Sequence, residues 1–228
     1  MQLVAVLIAA AFALIGLLPL VRTHLRHPTL WMMVGVGVFA FPITQWVSRR
    51  AWEPLAFTFG ISQTGVGLAV NFLVWALLAE LFKFAPVLIV GAMTEAPPED
   101  WFAYGAGAGA GFGVFGAQLV IGLALAASRL PFSTPLSTGL AIALRLFPVL
   151  THIATTAFVS WSATRGWLGI GFLLAVGAQA TLGLIERGQP ALGTVGTLLS
   201  ALITLFLFLY VWTLRDRTVP ARSRLQVE

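Results

Sequence analysis

Seven long apolar runs constrain this chain more than any other feature. They cover about Gln2–Val21, Leu30–Val47, Val66–Met93, Trp101–Ala127, Ser137–Ala163, Trp167–Ile185 and Gly193–Leu214. Each is close to the ~20 residues that carry an α-helix across the hydrocarbon of a bilayer. Inside a bilayer the backbone N–H and C=O groups find no water, so only helices and closed barrels span it. Barrel strands read as short alternating segments, whereas these runs are continuous. The expected fold class is therefore all-α: a polytopic membrane helix bundle of seven transmembrane helices. The stretch Ala51–Gln63 is amphiphilic and too short to cross alone. It reads as a segment lying along the interface, or as a re-entrant or eighth segment.

Composition agrees with that class. The chain is 59% hydrophobic and 9% charged, against about 25% charged in soluble domains. No polar stretch is long enough to fold alone, so residues 1–214 form one transmembrane domain, and 215–228 a basic tail expected to be disordered. The net charge of +5 comes mostly from arginines in short loops and the tail. That pattern fits anionic headgroups and excludes nucleic acid as the expected partner. With no cysteine, disulfides and thiolate metal sites are excluded. The first run lacks a basic leader and reads as a spanning helix, not a cleaved signal. With the N-terminus outside, one face collects Arg22, Arg26, Arg165, Arg215, Arg217, Arg222 and Arg224, and the other Arg49, Arg50, Arg129 and Arg187. Seven against four predicts N-out, C-in, and the expected location is the cytoplasmic membrane of a prokaryote.

The informative residues are the polar ones within the spans. Glu80 and Lys83 sit near the middle of the third run, where each charge costs roughly 2.5–3.5 kcal/mol. Three residues apart, they share a helix face and can neutralise one another. Arg145 and His152 also share a face, being seven apart, and Gln118 and Gln179 lie at mid-depth. The expectation is a shared polar interior of Glu80, Lys83, Gln118, Arg145, His152 and Gln179. His24 and His27 lie in a basic loop without a third ligand and read as solvated. In the fourth run, Gly105, Gly109 and Gly113 recur every four residues, as do Gly107 and Gly111. Such a ridge lets a neighbouring backbone approach closely, so leucine at Gly109 should disrupt the bundle and alanine should be milder. Pro42 marks a kink in the second run, and Pro86 loosens the second half of the third.

The order and spacing of these residues carry a resemblance. The third run holds Ala79-Glu80-Leu81-Phe82-Lys83, the fourth Gly111-Phe112-Gly113-Val114-Phe115-Gly116-Ala117-Gln118, the fifth Leu150-Thr151-His152-Ile153-Ala154 and the sixth Ala178-Gln179-Ala180. The chain resembles the YhfC-type intramembrane metalloproteases, relatives of the PrsW and CAAX-prenyl protease superfamily. The resemblance implies a Glu-Glu-x-x-Arg/Lys motif at the first slot, a Gly-x-Gly-His-Gly-Gly-x-Glu pattern at the second and a histidine at each of the last two. It also implies a mid-membrane metal, zinc by the chemistry of those ligands, with a carboxylate as general base on metal-bound water.

Carried over position by position, Ala79 stands for the leading Glu, Val114 for the histidine of the Gly-rich helix, Gln118 for its glutamate and Gln179 for the final histidine. His152 and Glu80 remain as metal ligands, with Glu80 the catalytic carboxylate if the protein is active. A catalytic zinc commonly has three protein ligands, so the expectation is a chain without cofactor: a non-catalytic member that binds a partner helix or lipid. Two alternatives stay open. One is an active zinc-dependent intramembrane protease with rearranged ligands, whose substrate would be a transmembrane protein; the other is a small transporter.

Overall fold

The bundle is organised around its most glycine-rich helix. In the computed structural model the described residues are 2–61, 65–127 and 135–215, with side chains described for all but 135–137 and 187–194. Every regular element among them is helical: α1 (Gln2–Val21), α2 (Pro28–Val47), α3 (Glu53–Thr58), α4 (Gly65–Met93), α5 (Pro98–Ala127), α6 (Pro135–Ala143), α7 (Leu146–Thr164) and α8 (Leu168–Arg215). Seven stretches are long and apolar enough to cross a membrane. The chain is thus an all-α, seven-helix, multi-pass integral membrane protein. Its outward faces carry exposed Leu7, Phe39, Leu173 and Phe206, as a lipid solvent allows. The basic tail, Arg129 and most of the loop before α6 lie outside the described residues.

Prolines explain where several helices begin and where one breaks. Pro28 and Pro98 open α2 and α5, where a missing N–H costs nothing. Glu99 and Asp100 follow in the first turn of α5, favourable against the positive end of the helix dipole. The fifth run is one span, Thr138–Thr164, but a turn at Leu144 and Arg145 interrupts its helix. Pro148 cannot bond to the carbonyl four residues back, and its ring crowds that carbonyl; the carbonyl belongs to Leu144, where α6 gives way to α7. Pro42 and Pro86, by contrast, sit inside α2 and α4, which continue through them.

Two further expectations change. Ala51–Gln63 is not a separate eighth span: a π-helical turn, Ser48–Trp52, carries α2 directly into α3. Pro28–Thr58 therefore forms one long span, and Gln63 lies outside the described residues. The sixth and seventh runs fall within one helical element, α8, yet they are separate spans, Leu168–Glu186 and Val195–Arg215. Gln179 bonds Thr155 and Thr204 bonds Thr151, one turn apart on α7. A straight helix would hold Gln179 and Thr204 roughly 37 Å apart, so the two halves of α8 fold back on each other. Arg215 then donates to the carbonyl of Pro19 at 2.6 Å, setting the end of α8 beside the end of α1.

Residues Phe102 to Gly113 of α5 are all buried, and α5 packs against α7, α2, α1 and α4. The ridge Gly105, Gly109, Gly113 faces α7, and Gly107 and Gly111 face α2. At Gly109 an added Cβ would run into the carbonyl of His152, with its carbon at 2.7 Å. The obstacle is backbone, which cannot rotate away, so even alanine is not mild there. Gly113 is looser, its nearest atom being Val149 Cα at 3.0 Å. The absent side chain at Gly109 sets how close α7, and hence His152, comes to the rest of the bundle.

Candidate functional site: a closed polar cluster beneath an aromatic cavity

Three helices bring their midpoints to one place. Glu80 is 15 residues from the start of α4 and 13 from its end (80 − 65 and 93 − 80). Thr155 is nine residues from each end of α7 (155 − 146 and 164 − 155), and Gln179 lies in the first half of α8. Helices of spanning length that meet at their centres put this point near the middle of the bilayer.

Glu80 and Lys83 are both fully buried, and Lys83 Nζ donates to Glu80 Oε1 at 2.6 Å. Thr155 Oγ1 donates to the same oxygen at 2.7 Å, Thr156 Oγ1 reaches Oε2 at 3.3 Å, and Gln179 Nε2 donates to Oε1. Four donors from three helices thus converge on one carboxylate, which is an acceptor at every lone pair. His152 completes the cluster from α7. Its Nδ1 lies 3.4 Å from Lys83 Nζ and 3.2 Å from Gln179 Nε2. Both neighbours are donors only, so Nδ1 accepts and a neutral ring carries its proton on Nε2. The imidazole rests edge-on against Phe112, centroids 4.7 Å apart, with Trp75 at 6.3 Å. One valence stays open: Gln179 Oε1 is buried without a hydrogen-bond partner.

The polar residues expected to share one interior separate into three places. Glu80, Lys83, His152 and Gln179 come together. Arg145 sits at the start of α7, its Nη1 4.0 Å from Glu186 Oε2, about two helical turns or roughly 10 Å along the axis from His152. Gln118 is half-buried, and no hydrogen bond joins it to the cluster. Six residues beyond Phe112, it points roughly 240° round α5 from the ring that touches His152. Ala79 is buried against Ala40 and Phe112, and Val114 packs into the core that α5 shares with α1 and α7. His24 is not simply solvated: its Nε2 meets Asp100 Oδ1 at 3.0 Å with both side chains largely covered, joining the α1–α2 loop to the start of α5.

Thr155 and Thr156 were not among the sequence candidates. Their signal was their position, three and four residues after His152 and so on its face. Threonine hydroxyls commonly bond back into their own helix, as Thr151 does to Phe147, which makes such residues look inert in a sequence.

Above the cluster opens a cavity of about 800 Å³ whose floor includes Thr151, His152 and Gln179 and whose walls include Trp52, Phe72 and Trp75. Trp52 is held by a 2.5 Å bond from its Nε1 to Asn71 Oδ1. Gly183 leaves room for the Phe72 ring, which an added Cβ would meet at 2.5 Å. No family model, no curated protein and no solved structure matches this chain. The site therefore has to be read from its own chemistry.

That chemistry does not fit zinc. Among the described residues no three His, Cys, Asp or Glu side chains are grouped to hold a metal. Between the two surviving ligands, Glu80 and His152, lies an ammonium group within 3.4 Å of both. A dication there would displace Lys83 and face two protein ligands where zinc sites use three or four.

Proposed function

We propose that this protein is a non-catalytic intramembrane binding protein, built on the frame of the YhfC-type proteases it resembles, that accepts the polar end of a membrane amphiphile in the cavity above His152 and Gln179. One observation carries this reading. The cluster spends its charged groups on itself, with Lys83 and three further donors on Glu80, and offers the cavity only neutral polar atoms. Groups so engaged hold helices in register; they do not activate water. Cavities of this volume, mostly apolar with a few convergent polar groups, are the usual form of small-molecule sites. The active-protease alternative rests on the same Glu80 and His152 and requires Lys83 to leave. The transporter alternative would use the same cavity as its access path.

The test is photoaffinity labelling of the full-length protein in membranes, using a decanol carrying a diazirine. Label on peptides bearing Trp52, Phe72 and Leu182, in excess of that on lipid-facing Phe39 and Phe206, is the expected result. Equal labelling of both sets would refute an occupied cavity. Bound zinc that is lost with His152→Ala would instead favour the protease.

A further inference from the structure

The cavity is asymmetric in charge, and the asymmetry selects a ligand. Among the described residues its lining contains two carboxylates, Glu53 and Glu186, and no lysine or arginine. Glu53 is exposed at the start of α3; Glu186 ends the first half of α8, beside Arg145. Four aromatic side chains line the same space: Trp52, Phe57, Phe72 and Trp75. Two cations lie nearby and both are paired: Lys83, fully buried, with Glu80, and Arg145 with Glu186. With Arg145 offsetting Glu186, the rim keeps a net negative charge from Glu53, which disfavours a phosphate or carboxylate headgroup. An organic ammonium would meet carboxylates at the rim and aromatic faces along the wall, the combination that holds quaternary and alkyl ammonium groups.

A second observation sets the ligand's far end. Glu186 and Gln179 are seven residues apart on one helix, about 10 Å along its axis. Gln179 is 5% exposed, and its Oε1 is an acceptor without a partner. That oxygen is closed off from the cavity, so Gln179 marks only the depth of the floor, about two helical turns below Glu186. Resting on the reading that the cavity binds an amphiphile, we infer that its ligand is a hydrophobic organic cation. The ammonium sits between Glu53 and Glu186, and the apolar body lies against the four aromatic rings. The part of the wall that turns this into a preference is the acidic rim, because the aromatic walls alone would also take a neutral chain.

The experiment compares three diazirine probes of equal chain length on the full-length protein in nonionic detergent: a decyltrimethylammonium, a decanol and a decyl phosphate. The readout is the ratio of label on the cavity peptides to label on Phe39 and Phe206, which cancels partition into the micelle. Half-maximal cavity labelling is expected at about tenfold lower concentration for the ammonium than for the alcohol, equivalent to about 1.4 kcal/mol. The phosphate should label the cavity least, and the preference should shrink at high salt as rim charges are screened. Glu53→Gln, a change at an exposed position that leaves the packing intact, should remove much of the preference while decanol labelling stays the same. Glu186→Gln should act in the same direction. Equal cavity labelling by ammonium and alcohol would sink the cation inference and leave the amphiphile reading standing. Failure of all three probes to label the cavity would overturn both.

Discussion

Removing Lys83 alone should destabilise the protein more than removing Lys83 and the charge of Glu80 together. Both side chains are fully buried and 2.6 Å apart, so Lys83→Met strands a carboxylate in a low-dielectric interior. Breaking a buried pair by deleting one partner costs about 3–5 kcal/mol. Here Thr155, Thr156 and Gln179 still donate to Glu80, which places the loss at the lower end, about 3 kcal/mol. Adding Glu80→Gln removes the stranded charge and leaves an imperfectly paired amide, a loss of about 1 kcal/mol. The double substitution should therefore recover about 2 kcal/mol of what the single one loses. For a chain of this size about 2–4 °C of melting temperature accompanies each kcal/mol. Thermal unfolding in one detergent should then show a drop of about 6–12 °C for Lys83→Met and about 2–4 °C for the pair. Losses that simply add, or a double variant no more stable than the single, would show that the pair is not coupled and that the donors on Glu80 suffice without the ammonium.

Three shorter predictions test the packing, the metal argument and the loop contact. Gly109→Ala should lower the melting temperature clearly, because its Cβ meets the backbone of His152, whereas Gly122→Ala should be near neutral with its nearest neighbour at 4.0 Å; the same assay reads both, and equal effects would refute the close approach of α5 and α7. Combining Ala79→Glu, Val114→His, Gln118→Glu and Gln179→His should not create a zinc site, since only the last of these positions lies at the cluster. Lys83→His with Gln179→His, which would surround the same point together with Glu80 and His152, should create one; metal analysis of the purified variants decides, and zinc in the first set alone would overturn the geometry. Asp100→Asn, which loosens the partly buried contact to His24 at the edge of the bundle, should cost no more than about 1 kcal/mol; a larger loss by thermal unfolding would mean that this loop contact helps hold the bundle together.

What the sequence made legible follows from the strength of each physical signal. Spans showed clearly because a bilayer demands unbroken apolar length, and the α4 boundaries differ from the expected ones by a single residue at Gly65. Glu80 and Lys83 were visible as a pair because their spacing lies within one helix. His152 and Gln179 were visible as polar residues at mid-depth, but their meeting with Glu80 depends on how α4, α7 and α8 pack, which no local pattern encodes. For the same reason Gln118 looked equivalent to Gln179, although rotation about α5 turns it away. The break at Leu144 was implicit in Pro148, whose effect falls four residues upstream of itself. The return of α8 on itself, and the contact between His24 and Asp100, join segments far apart in the chain and left no mark in either one.

The polar cluster and the glycine ridge act as one device. In a bilayer, apolar side chains do not discriminate between helix partners, since lipid tails are equally apolar, so depth and register must come from close contact and hydrogen bonds. Gly109 supplies the first by letting α7 approach at the level of His152. Glu80 supplies the second by drawing Thr155 and Thr156 from α7 and Gln179 from α8 onto a single carboxylate. A slip of α7 by one residue would rotate both threonines roughly 100° off the carboxylate and strand a charge worth several kcal/mol. The pair thus fixes the one register in which His152 and Gln179 also form the floor of the cavity. Its insertion cost is best understood as the stabilisation of that floor, which makes Glu80 and Lys83 positioning residues for whatever the cavity holds.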